Sequence, residues 1–354
     1  MSTTTLAAGA ATPAVGRPDA PTAHLILPAD ASREEWLTVR RAGIGGSDVA
    51  AILGLDDYRG PLKVWEEKAG YQEPENDRMR WGTRLEGVIA EGFEEETGLA
   101  TAIPAGTFAH LDRPWALVNI DRHVLDETGA VVAALELKNK SEYVAKKWEG
   151  NDEAPDAPAL QAHWATAVGG YSHSYVAALL GGNRLTVFRQ ERNEELIAEL
   201  FRICGEWYQR HIIEGVRPPA DGAKGTKDFL AALYEVKPEA IKEIPLDEAK
   251  ALRARRASLK DQAKALEDQL TEVENQMRDT AGSNAVVKSG KGVAWTWKPT
   301  GRFSDKQFRE LRPDLVKKYT TTVEVIDGAR VKADLPEIHT KCRARVLLVP
   351  AKEI

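Results

Sequence analysis

The sequence predicts an α/β core in which a mixed sheet is flanked by helices. Two hairpin patterns support this prediction, because alternating apolar residues surround the turn DETG at residues 126–129 and the turn GGN at residues 181–183. Amphipathic segments with helical periodicity lie before, between and after these hairpins, as in RLEGVIAEGF and LQAHWATAVGG. Strand patterns that are interspersed with helical patterns in this way are typical of α/β domains.

The order of these patterns predicts five segments. They are a disordered leader (1–30), a folded α/β domain (31–218), a linker (219–245), a helical segment (246–282) and a basic, small α+β module (283–354). The leader is rich in Ala, Thr and Pro, which disfavours a packed core, and the Pro- and Gly-rich stretch VRPPADGAKG at residues 216–225 marks the break at which the linker begins.

The helical segment has a seven-residue apolar repeat, formed by Leu252, Leu259, Leu266 and Val273. Leu270 and Met277 add a partial second line, which Arg256 and Ala263 weaken, and the pattern is compatible with a coiled coil or with one half of an antiparallel helix pair.

Composition and charge narrow the class of protein. The 354 residues are 43% hydrophobic and 29% charged, and no apolar run approaches the roughly 20 residues that cross a bilayer. The start of the chain lacks a secretory signal pattern, and two cysteines, Cys204 and Cys342, exclude a disulfide framework and a Cys-rich metal site. We therefore expect a cytoplasmic protein without a membrane partner.

The net charge of −6 hides an uneven distribution. Residues 283–354 contain 15 Lys and Arg against 8 Asp and Glu, a balance of +7, so the rest of the chain carries −13. A basic module on an acidic body is compatible with a nucleic-acid contact, although a basic surface alone does not establish one.

The first hairpin carries a group of ionisable residues. We predict that Asp121 on its first strand faces Ala134 and lies diagonal to Glu136, with Lys138 on the same face. Two close carboxylates repel each other, and a divalent cation such as Mg²⁺ relieves that repulsion, while a nearby lysine orients water or offsets charge. The simpler interpretation is a cross-strand ion pair, which the hairpin alone favours.

Two residues on predicted helices strengthen the interpretation of this group as a metal site. Glu86 shares an apolar helical stripe with Ile89 and Phe93, and Gln161 shares one with Trp164. A carboxylate on a core-facing stripe either reaches the edge of the core or binds a cation, whereas a glutamine there is usually a hydrogen-bonding group.

The segment RRAGIGGSD predicts an anion site. Ser47 is predicted as the N-cap of the next helix, and free backbone N–H groups at such a helix start bind phosphate when a cation such as Arg40 assists. Helix capping alone also explains Ser47.

In this order, WLTVRRAGIGGS, WGTRLE, NID, ELK and LQAHWA resemble the motifs of the YqaJ-type viral recombinase nucleases. That family includes the phage lambda exonuclease and belongs to the PD-(D/E)xK nuclease superfamily. The resemblance covers residues 31–219. One departure is Arg122, because many relatives place glycine directly after the aspartate.

The resemblance implies functional roles for these residues. Glu86, Asp121 and Glu136, with the Leu137 carbonyl, would ligate two Mg²⁺ or Mn²⁺ ions. Lys138 would be the catalytic lysine, and Gln161 matches the glutamine near the site. Arg40 and Ser47 match the residues that hold a terminal 5′-phosphate.

The resemblance further implies a phage or prophage exonuclease acting in a bacterial host. It would digest double-stranded DNA ends 5′→3′, leave 3′ single strands for a single-strand annealing recombinase, and form a ring-like homo-oligomer. Two alternatives stay open: an endonuclease of the same superfamily in repair or restriction, which has no need of Arg40 and Ser47, and a non-enzymatic DNA-binding protein.

Overall fold

The computed structural model describes residues 17–73, 76–150, 152–234, 241–321, 324–343 and 347. The chain divides into two compact units, Met1–Glu235 and Val236–Ile354. Most of the predicted leader, residues 1–16, lies outside the described residues. No helix in the described ranges is both long and apolar enough to span a bilayer.

The strands of the first unit are β1 (Ala23–Pro28), β2 (Thr101–Ala102), β3 (Gly106–His110), β4 (Leu117–Asn119), β5 (Arg122–Leu125), β6 (Val131–Lys140), β7 (His173–Leu180) and β8 (Arg184–Glu191). Its helices are α1 (Arg33–Ala42), α2 (Gly46–Ile52), α3 (Pro61–Lys68), α4 (Asp77–Thr97), α5 (Asp156–Gly169), α6 (Glu194–Trp207) and α7 (Thr226–Leu233), with a 3-10 helix (Glu142–Lys147) and a π-helix (Tyr208–Ile213).

A five-stranded sheet in the order β2-β5-β6-β7-β8 forms the centre of this unit. Strands β6 and β7 are parallel, and the other neighbours are antiparallel. Because side chains alternate along β6, Leu135 and Leu137 face α4, whereas Ala134 belongs to the core cluster that includes Trp164 of α5. The mixed sheet with helices on both faces confirms the predicted fold class.

Helix boundaries follow local signals. The side chain of Ser32 accepts the Glu35 N–H, and Glu35 in turn accepts the Ser32 N–H, so the predicted capping box begins α1. Helix α3 has Pro61 in its first turn, and α4 is followed by the C-cap Gly98, whose φ of 71° is the left-handed conformation that glycine favours.

The predicted leader and linker boundaries need correction. Strand β1 pairs with β3 in a three-stranded sheet β1-β3-β4, so the folded unit begins before residue 30. At the other end, α7 lies inside the predicted linker, and the Lys224 N–H donates to the Asp57 carbonyl at 2.8 Å. Both additions depend on partners distant in sequence, which composition does not reveal.

The second unit contains α8 (Leu246–Ala281), β9 (Val286–Ser289), β10 (Gly292–Thr296), α9 (Asp305–Leu311), a 3-10 helix (Pro313–Leu315), α10 (Val316–Tyr319), α11 (Gly328–Asp334) and α12 (Pro336–Lys341). Strands β9 and β10 form an antiparallel hairpin, and the indole N–H of Trp295 donates to the Met277 carbonyl at 3.1 Å. The hairpin thus packs on the end of α8.

Candidate active site

Asp121 occupies a bend at which the chain passes from one sheet into the other. Strand β4 belongs to the three-stranded sheet and β5 to the five-stranded sheet, so the predicted continuous first strand is interrupted at this point. The Asp121 carboxylate accepts the Leu137 N–H at 2.8 Å. This contact fixes the carboxylate against β6.

The register between β5 and β6 differs from the predicted one by two residues. His123, and not Asp121, pairs with Ala134, because the turn closes between Asp126 and Ala130 and a β-bulge follows between Val124 and Leu125. Continuing this register places Asp121 opposite Glu136 rather than diagonal to it. In the observed register, the Asp121 and Glu136 carboxylates are closer together than the sequence predicted.

Glu136 is a buried carboxylate, with only 4% of its surface exposed. Burial and the negative charge of Asp121 raise its pKa to about 8, although Lys138 opposes this. Lys138 makes an ion pair with Glu136 and also donates to the Gln161 side-chain oxygen at 3.0 Å. Burial disfavours the charged ammonium, but the Glu136 and Asp121 carboxylates raise the Lys138 pKa overall.

Glu86 reaches the same site from α4. Its helix packs Ile89 and Phe93 against the Leu135 and Leu137 side of the sheet. Burial raises the Glu86 pKa, and the charge of Asp121 raises it further.

All six residues predicted for the catalytic site line one cleft of about 270 Å³. They are Glu86, Asp121, Glu136, Leu137, Lys138 and Gln161. In the described part of the chain, no three His, Cys, Asp or Glu side chains stand close enough to hold a metal ion as they are. The Lys138 ammonium pairs with the Glu136 carboxylate, and the Leu137 N–H donates to the Asp121 carboxylate.

The donor chemistry of this cleft nevertheless fits a hard divalent cation. Three carboxylates, Glu86, Asp121 and Glu136, offer oxygen ligands in this cleft. Burial and the charge of Asp121 raise the pKa values of Glu86 and Glu136. A cation relieves both penalties, because it replaces lost hydration and offsets the repulsion.

The predicted anion site has a different local structure from the one expected. Helix α2 begins at Gly46 with Gly45 as its N-cap, so the prediction that Ser47 caps the helix is wrong. Ser47 lies within the first turn, and its hydroxyl accepts from the Arg40 guanidinium at 3.2 Å. The two residues predicted for this site are therefore in contact.

A fully buried carboxylate, Asp48, organises the cations around this serine. Lys68 and Arg59 each approach it at 2.6 Å, and Arg40 lies 3.6 Å away. Burial opposes the charge of Asp48, but these three cations hold its pKa far below the usual range. Arg59 also pairs with Glu67.

We name Arg40, Arg59, Glu67, Lys68 and Asp48 the cation cluster. Three cations face two carboxylates, so the cation cluster keeps one net positive charge. The Lys68 side chain is 4% exposed and that of Arg59 13%, whereas that of Arg40 is 30% exposed. The uncompensated charge is therefore accessible at Arg40.

The sequence alone did not indicate the roles of Asp48, Arg59 and Lys68. The only local signal was the acidic residue in the first turn of α2, where Asp48 accepts the Gly45 N–H at 3.0 Å. Its cationic partners lie 11 and 20 residues further along the chain.

The cation cluster adjoins the cleft through Gln161. Helices α2 and α5 pack together, and a Cβ atom on Gly46 would lie 3.0 Å from the Gln161 Cγ. Glycine at this position permits the first turn of α2 to approach the residue that contacts Lys138. The cation cluster, with Arg40 and Ser47, therefore lies next to the cleft.

Comparison with known proteins identifies the family. A family model described as the YqaJ-like viral recombinase domain matches residues 35–172. The uncharacterized protein YqaJ of Bacillus subtilis (strain 168) is 32% identical over 295 residues, which cover 81% of this chain and 90% of that protein. A protein of African swine fever virus (strain Badajoz 1971 Vero-adapted) is 35% identical over 63 residues, 17% of this chain and 18% of that protein.

Two solved structures align with part of the chain. An alkaline exonuclease (LHK-Exo) from Laribacter hongkongensis has a TM-score of 0.43 and 17% identity, covering 57% of this chain and 100% of that one. A phage related exonuclease from Haemophilus somnus 129PT has a TM-score of 0.36 and 13% identity, covering 51% and 100%. On the extensive match to protein YqaJ, and on the family model that spans the cleft and the anion site, this chain belongs to the YqaJ-like viral recombinase family.

Proposed function

We propose that this chain is a metal-dependent exonuclease that digests double-stranded DNA ends 5′→3′. The observation that carries the proposal is the convergence of Glu86, Asp121, Glu136 and Lys138 in one cleft beside a cation cluster with a surplus positive charge. The description of the family as a viral recombinase supports a DNA substrate. The 3′ single strands left by such digestion are the substrate of strand-annealing recombination.

Glu86, Asp121, Glu136 and the Leu137 carbonyl are the ligands that we assign to Mg²⁺ or Mn²⁺, with two ions implied by the family resemblance. The chemistry of these ligands supports the assignment, since all of them are oxygens and the pKa values of the Glu86 and Glu136 carboxyl groups are raised. Bound divalent ions lower the pKa of water and stabilise negative charge on a phosphoryl group and on its leaving oxygen.

Lys138 supplies the positive charge that the chain itself contributes to the reaction. Its raised pKa keeps the ammonium protonated, and the 3.0 Å contact with Gln161 orients it. A protonated, held ammonium donates a hydrogen bond to a phosphate oxygen or to an attacking water and offsets charge that develops there.

Arg40 and Ser47 are the residues that we assign to the terminal 5′-phosphate. Asp48 is already engaged at 2.6 Å by Arg59 and Lys68, so the more distant and more exposed Arg40 retains its capacity to bind an anion. A phosphate monoester carries more charge than a backbone diester and is the preferred ligand of such a guanidinium.

The wider assembly follows from the resemblance. We propose a single-strand annealing recombinase as the partner that receives the 3′ strand, and a ring-like homo-oligomer as the assembly that keeps the DNA engaged.

The test is Mg²⁺-dependent degradation of an end-labelled linear duplex by site variants. Asp121→Ala, Glu136→Ala and Lys138→Ala should each abolish degradation while circular dichroism shows intact secondary structure. The control is Glu91→Ala, which removes an exposed carboxylate from α4 and should leave the rate unchanged. Near-wild-type turnover in any of the three site variants contradicts the assignment.

One observation favours an endonuclease as the second candidate. Arg40 lies 3.6 Å from Asp48, and if it serves only as a structural counterion, nothing in this cluster selects a DNA end. An endonuclease cuts closed circular DNA efficiently and is indifferent to the 5′-phosphate, which distinguishes it from the exonuclease.

A further inference from the structure

Helix α8 exposes an apolar stripe along most of its length. Leu252, Leu259, Leu266, Leu270 and Val273 are each between 52% and 65% exposed. The helix has 36 residues, which corresponds to about 54 Å at 1.5 Å per residue. Five large aliphatic side chains on one face of an otherwise polar helix form a surface that a partner helix would cover.

The spacing of the stripe defines heptad positions. Leu252, Leu259, Leu266 and Val273 occupy the d positions, and the a positions are Arg256, Ala263, Leu270 and Met277. A seven-residue apolar repeat produces a left-handed coiled coil in which a and d side chains interlock with those of the facing helix. Only Arg256 departs from the apolar pattern.

Charge along α8 is segregated by sign. Residues 246–264 contain 6 basic and 3 acidic side chains, whereas residues 265–281 contain 1 basic and 5 acidic ones. Two parallel copies place like charges beside each other, and two antiparallel copies place opposite charges beside each other. The helix is therefore complementary to itself in the antiparallel direction only.

The e positions, which flank the d residues, show the same symmetry in detail. They are Arg253, Lys260, Glu267 and Glu274, two cations followed by two carboxylates. In an antiparallel pair, e positions face e positions of the other helix. A two-fold axis near the middle of α8 pairs Arg253 with Glu274 of the second copy and Lys260 with Glu267 of the second copy.

The same register fills the core of the pair. Leu252 faces Met277, Leu259 faces Leu270, and Leu266 faces Ala263. Arg256 then faces Val273, from which its long side chain reaches the solvent. The parallel alternative stacks Arg256 on Arg256 of the second copy in the seam, where two like charges repel.

We propose that α8 is a self-association element that pairs antiparallel with α8 of a second copy of this chain. The complementarity of the helix with its own reversed sequence selects the second copy as the occupant, since a different partner helix would not require that symmetry. The contact lies in the second unit and joins two copies independently of any ring formed through the nuclease unit.

The experiment is sedimentation velocity of the full-length chain over a concentration series, with charge-swap variants of exposed e residues. Lys260→Glu should weaken association roughly tenfold or more, because two symmetric attractive pairs become repulsive. The double variant Lys260→Glu with Glu267→Lys should restore wild-type association. The matched control is Lys264→Glu, which makes the same change at an outward b position and should have no effect.

Circular dichroism verifies that each variant keeps its helix content. A parallel coiled coil predicts the opposite response to Lys260→Glu, because Lys260 would then face Arg255 of the second copy and the swap would strengthen association. Stronger association or an unchanged dissociation constant for Lys260→Glu overturns the proposal. So does an equal sedimenting mass for wild type and for Leu266→Asp, which places a charge in the apolar stripe.

Discussion

Replacing Glu136 with glutamine should stabilise the metal-free protein, and the stabilisation should grow with pH. The pKa of Glu136 is raised to about 8 by burial and by Asp121. The folded protein therefore binds this proton more tightly than the unfolded chain, whose glutamate has the ordinary pKa of 4.5. The resulting stability is fully present below about pH 4.5 and is lost as the pH rises towards 8.

The pKa shift sets the size of the effect. Each pH unit between the two pKa values costs at most about 1.4 kcal/mol, so the free energy of unfolding falls by about 3–4 kcal/mol between pH 5 and pH 8. Glutamine has a similar shape and carries no titratable proton. The stability difference between Glu136→Gln and wild type should therefore rise by about the same amount over this range.

Urea unfolding in the presence of a chelator, at four pH values from 5 to 8, measures this difference. Glu91→Gln on the exposed side of α4 is the control and should track wild type at every pH. If the free energies of unfolding of Glu136→Gln and wild type change with pH in parallel, the prediction is wrong, because the pKa of Glu136 is then not raised in the folded protein. Excess Mg²⁺ should reduce the difference, since a cation stabilises the ionised form.

Three further predictions concern the cation cluster and the basic module. Arg40→Ala should slow digestion of 5′-phosphorylated ends about tenfold to a hundredfold in single-turnover assays and leave 5′-hydroxyl ends unaffected, with Arg41→Ala on the same helix as the control. Asp48→Asn should lower the free energy of unfolding by about 3–5 kcal/mol in denaturant titrations, because it leaves buried cations without their counterion; a loss below about 1 kcal/mol would contradict this. Removing residues 283–354 should weaken DNA binding and reduce its salt dependence, measured by fluorescence anisotropy, because this segment carries a balance of +7; an unchanged affinity and salt slope would instead indicate a partner-docking or oligomerisation module.

Local patterns predicted much of the fold and most of the cleft. The capping box of Ser32 and Glu35 involves residues three apart, and Glu136 and Lys138 share a face because strand side chains alternate. Glu86 and Gln161 were identifiable because each lies on a helical stripe with core residues, and the structure places both in the cleft.

What the sequence did not predict depends on contacts between distant segments. The bend at Asp121 exists because the chain changes sheets, and neither sheet is visible from the hairpin alone. Asp48, Arg59 and Lys68 read as ordinary surface charges until folding buries them together. Strand Ala23–Pro28 looks like part of a disordered leader because its partner, Gly106–His110, lies about 80 residues away.

The measurement that tests the central claim most directly compares three DNA substrates under identical Mg²⁺ concentrations. They are a linear duplex with 5′-phosphates, the same duplex with 5′-hydroxyls, and a closed circle of equal length. The proposed exonuclease degrades the phosphorylated duplex fastest, shortens both strands from their 5′ ends so that the remaining single strands keep their original 3′ ends, and spares the circle. Efficient cutting of the circle, or loss of the strands from their 3′ ends, would contradict the account.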